Sequence, residues 1–150
     1  MKTRRRARRL TLETLFEYDL ANHDPIKVLR RRLEEQPLES SGVSFATKLI
    51  NGVQEYQDRM DQLITRFAPE WPLEQMAVID RNILRMAIFE FLIDQETPVK
   101  VAINEAVELA KIYGSDSAPR FINGVLGSLA DQIETLRVEI GVAVAEPIPG

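Results

Sequence analysis

The sequence contains no cysteine, one histidine and one tryptophan among its 150 residues. Without cysteine there is no disulfide, no thiolate zinc site and no cysteine nucleophile. That usage suits a reducing compartment, and the expected location is cytoplasmic. The histidine, His23, stands beside Asp24-Pro25 in an apparent turn. It leaves too few ligands for a transition-metal centre, so neither a metal nor any other cofactor is expected. The glycine patterns that cradle phosphates are missing, as is any assembled serine, histidine and aspartate set. Gly124-Val-Leu-Gly127 has GxxG spacing, but inside a helical pattern, where close helix packing is the expectation. The chain is therefore not expected to be an enzyme. Long apolar runs are lacking too. The strongest, Ile83 to Ile93, is broken by Arg85 and Glu90 and falls well short of the roughly 18 to 20 residues of a membrane span. No apolar segment follows the basic start, so neither a secretory signal nor a membrane partner is expected. Strand-like alternation of Val, Ile and Thr is absent as well.

What is present is helical periodicity on an ordinary globular composition, 45% hydrophobic and 28% charged. Leu12, Leu15, Phe16 and Leu20 form a stripe that predicts a helix over about residues 3 to 21. Asp24-Pro25 breaks the chain and opens a second helix to about residue 35. After a loop at Pro37 to Gly42, Ser44 or a neighbour opens a long third helix ending near Phe67. Pro69 and Pro72 forbid its continuation. A short helical piece follows. Then comes an apolar helix from Arg81 to Ile93 capped by Asp80. Thr97-Pro98 opens a helix that Gly114 terminates. The last helix starts near Ser115 or Asp116 and runs to about Val138. The expected architecture is all-α, with about seven helices in two packed bundles. One domain over about residues 1–140 would comprise an N-terminal bundle (about 3–68) and a C-terminal bundle (about 73–138), and residues 141–150 would be a disordered tail.

Charge is distributed unevenly. The net charge is −4, yet residues 1–10 hold six Lys and Arg and no acid, leaving 13 basic and 23 acidic residues in the remainder. A positive end on an acidic body suits a protein that meets a polyanion at one place. On a helical wheel Arg4, Arg5, Arg6, Arg8 and Arg9 cover an arc of about 200°, leaving an Ala7/Leu10 edge to rest on the body. Crowded guanidiniums repel one another, and phosphates held in their forks would relieve that repulsion. The alternative is a solvated basic terminus that binds nothing specific. No bulky apolar residue interrupts the run, which argues against insertion into lipid.

The segment Tyr113 to Phe121 joins two helices. Helix N-termini offer unpaired N–H groups, Tyr113 can stack on an unpaired base, and Arg120 can take a phosphate. The local alternative is an ordinary helix corner with Tyr113 and Phe121 in the core. Asn104, Glu105, Glu108 and Lys111 read as a solvated, ion-paired face.

Several segments together resemble the NusB family. They are Arg-Arg-Arg-Ala-Arg (4–8) leading into Leu15-Phe16, Trp71-Pro-Leu, residues 80–87 followed by Glu90, residues 98–111 with Gly114, and Phe121-Ile-Asn-Gly-Val-Leu (121–126). Order and spacing match from about residue 4 to 130, and the last two blocks in tandem are the specific ones. The resemblance implies an all-α fold of two bundles. It also implies a transcription antitermination factor that binds the single-stranded boxA element of ribosomal RNA leaders. The implied partners are the ribosomal protein that serves as NusE and the elongating RNA polymerase complex. RNA contacts would fall on Arg4, Arg5, Arg6, Arg8, Arg9, Tyr113, Ser117 and Arg120, and the partner contact on Asp80 and Arg81. Ser117 stands where the family commonly has an aspartate. The rival readings are a detached module resembling the N-terminal domain of ribosomal RNA cytosine methyltransferases, and a protein–protein adaptor or homodimer whose arginines only solubilise it.

Overall fold

The computed structural model describes residues 2–141, and the expected tail lies, from residue 142 onward, outside the described residues. Seven α-helices are present among them: α1 (Lys2–Ala21), α2 (Pro25–Glu35), α3 (Ser40–Phe67), α4 (Val78–Ile88), α5 (Val99–Tyr113), α6 (Ala118–Ala130) and α7 (Ile133–Glu139). A short 3-10 turn (Leu73–Gln75) leads into α4, and a π-helical segment (Phe89–Asp94) prolongs it. α1 packs on α2, α3 and α4, α5 packs on α4 and α6, and α4 thereby lies between the first three helices and the later ones.

The early punctuation follows local chemistry. Asn22 closes α1 in the left-handed region (φ 56°) and its N–H bonds to the Tyr18 carbonyl at 2.8 Å. Asp24 caps α2 by accepting from the Ile26 N–H at 3.2 Å, with Pro25 in the first turn. α3 begins four residues before Ser44, with Gly42 inside its first turn. A Cβ there would stand 2.7 Å from the Thr3 methyl, so the close approach of α1 requires glycine. Ala7, Leu10, Leu12 and Leu15 of α1 are buried against Phe45, Leu49, Val53 and Ile83 in one continuous core, each large side chain contributing about 1.5–3 kcal/mol. Leu20, expected in the stripe, is instead 63% exposed.

Four expectations are corrected by tertiary structure. α4 starts at Val78, which places Asp80 in its first turn rather than at its cap. The long helix after Asp80 widens into the π segment, and there the Gln95 N–H bonds to Glu90 instead of to Phe91. Arg137 donates to the Phe91 carbonyl at 2.7 Å. The last helix is not continuous: it breaks at Asp131-Gln132, so that α7 turns back and buries Leu136. Finally, Gly124 and Gly127 have nothing near the place of a Cβ, so their spacing marks no close helix contact.

Candidate nucleic-acid interface

The N-terminal half of α1 lies between α5 and the end of α2. The Arg5 Nε donates to Glu105 of α5 at 3.0 Å, and the Arg6 Nη2 donates to the Pro37 carbonyl beyond α2 at 2.9 Å. The Arg4 guanidinium stands 4.7 Å from the centre of the Phe45 ring, a cation–π contact that steadies it while its head stays in water. Arg9 is exposed one turn further along. Arg4, Arg5, Arg6 and Arg9 therefore form an outward cationic face.

Arg8 does not belong to that face. It is 4% exposed and forks onto Glu90, itself 2% exposed, with Nη2 to Oε1 at 2.7 Å and Nε to Oε2 at 3.0 Å. The Thr97 hydroxyl donates to the same Glu90 Oε1 at 3.0 Å, so Thr97 serves the buried pair instead of capping α5. Arg8, expected among the RNA contacts, has its Nε and Nη2 donors committed to Glu90 inside the protein. Its burial leaves the other four arginines as the exposed ones.

The loop between α5 and α6 is tied to α1. The Tyr113 hydroxyl donates to Glu13 Oε2 at 2.6 Å, and Glu13 Oε1 also accepts from Arg32 at 3.0 Å. Burial and the Glu13 carboxylate push the Tyr113 hydroxyl up to about 12, so the side chain stays neutral. The ring is half-buried, with one end anchored. Gly114 turns the chain in an extended conformation (φ −93°), so it is needed for space and not for a left-handed turn. A Cβ there would lie 2.6 Å from that of Ala118 and 3.3 Å from Asp80 Oδ1.

Ser117 occupies the N-cap position of α6 without a capping side-chain bond, its Oγ 3.4 Å from that of Ser115. Ser117 and the exposed Arg120 line a mainly apolar groove of about 390 Å³ with Trp71, Met76, Asp80 and Phe121. Trp71 is 55% exposed and meets Phe121 edge-on, with centroids 6.4 Å apart. Periodicity marks Trp71 only as part of a boundary; a tryptophan between two prolines in an interhelical segment is the signal that could have placed it here. Asp80 and Arg81 point differently. Asp80 is half-buried at the groove, its Oδ1 has no hydrogen-bond partner among the described residues, and burial raises its carboxyl above the usual range. Arg81 turns into the body toward Asp19 at 3.7 Å and the Leu73 carbonyl at 3.3 Å.

The model of the NusB family matches residues 5–131. The transcription antitermination protein NusB of Dehalococcoides mccartyi (strain CBDB1) is 51% identical over 128 residues, 85% of this chain and 90% of that protein. The chain belongs to the NusB family. Its fold is similar to that of T. maritima NusB, with a TM-score of 0.81 at 33% identity, covering 91% of this chain and 96% of that one. A solved structure of the antitermination factors NusB and NusE in complex with dsRNA shares the fold, with a TM-score of 0.79 at 23% identity over 87% of this chain and 98% of that one. The NusB match takes in Arg5, Arg6, Arg9, the α5–α6 loop and the whole groove, while Arg4 and α7 lie just outside it.

Proposed function

We propose that this chain is a transcription antitermination factor acting by assembly rather than by turnover. In this reading it binds boxA-type single-stranded RNA of ribosomal RNA leaders together with a NusE-type ribosomal protein, in the cytoplasm, and joins the elongating RNA polymerase. The observation that carries the RNA part is the outward face of Arg4, Arg5, Arg6 and Arg9 on an otherwise acidic body. Guanidinium–phosphate contacts would supply salt-dependent affinity. Base preference would come from the loop and groove, where Tyr113 and Trp71 offer aromatic surface and Ser117 and Arg120 offer polar contacts. The membership of the family and the names of its members support this assignment.

The test is fluorescence anisotropy of a boxA-like RNA and a scrambled control, each with and without the NusE-type protein. Preferential binding that the partner strengthens is the expected outcome. Absence of binding to either RNA, with the partner present, would overturn the reading in favour of a protein–protein adaptor.

A further inference from the structure

A second group of basic side chains lies outside the interface described above, on α2. Lys27, Arg30 and Arg31 recur at i, i+3 and i+4, which sets them on one helical face, and all three are exposed. Like charges at this spacing destabilise a helix in isolation. Arg31 is partly compensated by Glu17 of α1 at 2.6 Å. Lys27 and Arg30 form no ion pair among the described residues.

This face lies toward the Asn22–Asp24 turn, beyond Glu13, the carboxylate at which Tyr113 of the α5–α6 loop and Arg32 of α2 meet. The two helices run as an antiparallel hairpin, held near one end by the bond from Arg6 to the Pro37 carbonyl and along its middle by Arg32 to Glu13 at 3.0 Å and to Glu17 at 3.2 Å. Those pairs consume the two carboxylates of α1 that face α2 and leave the outer cations of α2 to solvent. Through Gln36 the chain holds ten Lys and Arg against six Asp and Glu; beyond it there are nine against seventeen. The excess of positive charge thus lies on one helical hairpin, and the five arginines of α1 are half of its ten basic residues. Glu34, exposed on the same face, and Glu35 mark where the positive stretch of α2 ends.

We infer that α2 is a second contact for the RNA backbone. A strand held at its bases by the α5–α6 loop and at its phosphates by α1 continues along Lys27 and Arg30, so this protein grips RNA flanking the specific element. The contacts are to phosphate, hence indifferent to sequence and sensitive to salt. The inference rests on the RNA-binding reading above.

The experiment compares a short boxA-like RNA with the same RNA extended at either end by a uridine tract, using the full chain and its Lys27→Ala/Arg30→Ala variant. Both side chains are exposed, and circular dichroism checks that the variant folds as the parent does. The parent should bind the extended RNA more tightly, with a salt slope steeper by about 1.4, the value for two phosphate contacts on a single strand. Over an about fourfold change in salt that is an extra factor of about seven. The variant should bind both RNAs with the affinity and slope that the parent shows for the short one. If the parent gains nothing from the extension, or the variant loses affinity equally for both lengths, α2 is not a backbone contact. If the parent binds neither RNA, the antitermination reading falls as well.

Discussion

Replacing Arg8 by alanine should damage the fold and leave the exposed cationic face intact. Arg8 and Glu90 are 4% and 2% exposed and share a two-pronged ion pair. Removing the guanidinium leaves the Glu90 carboxylate buried with only the Thr97 hydroxyl as a donor. Breaking a buried pair from one side costs about 3–5 kcal/mol, a large share of the roughly 5–15 kcal/mol that holds a domain together. For a chain of this size each kcal/mol moves the melting temperature by about 2–4 °C, so the expected fall is about 6–20 °C. Arg5 pairs with Glu105 at the surface, and Arg5→Ala should cost less than about 1 kcal/mol. The double variant Arg8→Met/Glu90→Leu, which removes both charges, should recover most of the loss. Thermal and urea melts followed by circular dichroism measure all of these. An Arg8→Ala protein that melts with the parent, yet has lost RNA affinity, would refute the assignment of Arg8 to the interior.

Three further outcomes follow from the loop. Tyr113 should ionise at about 12 instead of its ordinary 10; because the folded state holds this proton more tightly, its contribution to stability is complete below pH 10 and is lost as pH rises toward 12, which phenolate absorbance and melts across that window would check. Ser117→Asp should weaken boxA RNA binding, since a carboxylate at the exposed cap position of α6 repels phosphate, and unchanged or tighter binding in an anisotropy titration would contradict this. Gly114→Ala should destabilise by about 1–3 kcal/mol, because the added methyl meets both the Ala118 side chain and the Ala110 carbonyl; a melt equal to that of the parent would show that the turn yields freely.

The helices announced themselves where local chemistry decides them. Asp24-Pro25 and the prolines at 69 and 72 stop or start helices by forcing or forbidding backbone geometry, and periodicity marks the faces of α1, α3 and α5. What local pattern could not show depends on residues far apart. Arg8 sits in a run of identical arginines, and its partner is 82 positions away in a segment that reads as apolar helix, where Glu90 looks like an interruption. The break before α7 has neither proline nor glycine at Asp131-Gln132, so it is set by docking of Leu136 and Arg137 on the π segment. Of the candidate site, the exposed arginines and the loop were legible from charge and helix ends. The groove was not, because Trp71, Asp80 and Phe121 meet only once α4 and α6 are packed.

The central claim is most directly tested by the salt dependence of boxA RNA affinity for the parent and for the Arg4/Arg5/Arg6/Arg9→Ala variant, with Arg8 left in place. Four phosphate contacts on a single strand predict a slope of about −2.8 in log affinity against log salt, a loss of about 50-fold for an about fourfold rise in salt. The variant should fold normally and lose that slope together with most of its affinity. A parent whose affinity ignores salt, or a folded variant that binds as well as the parent, would contradict the account.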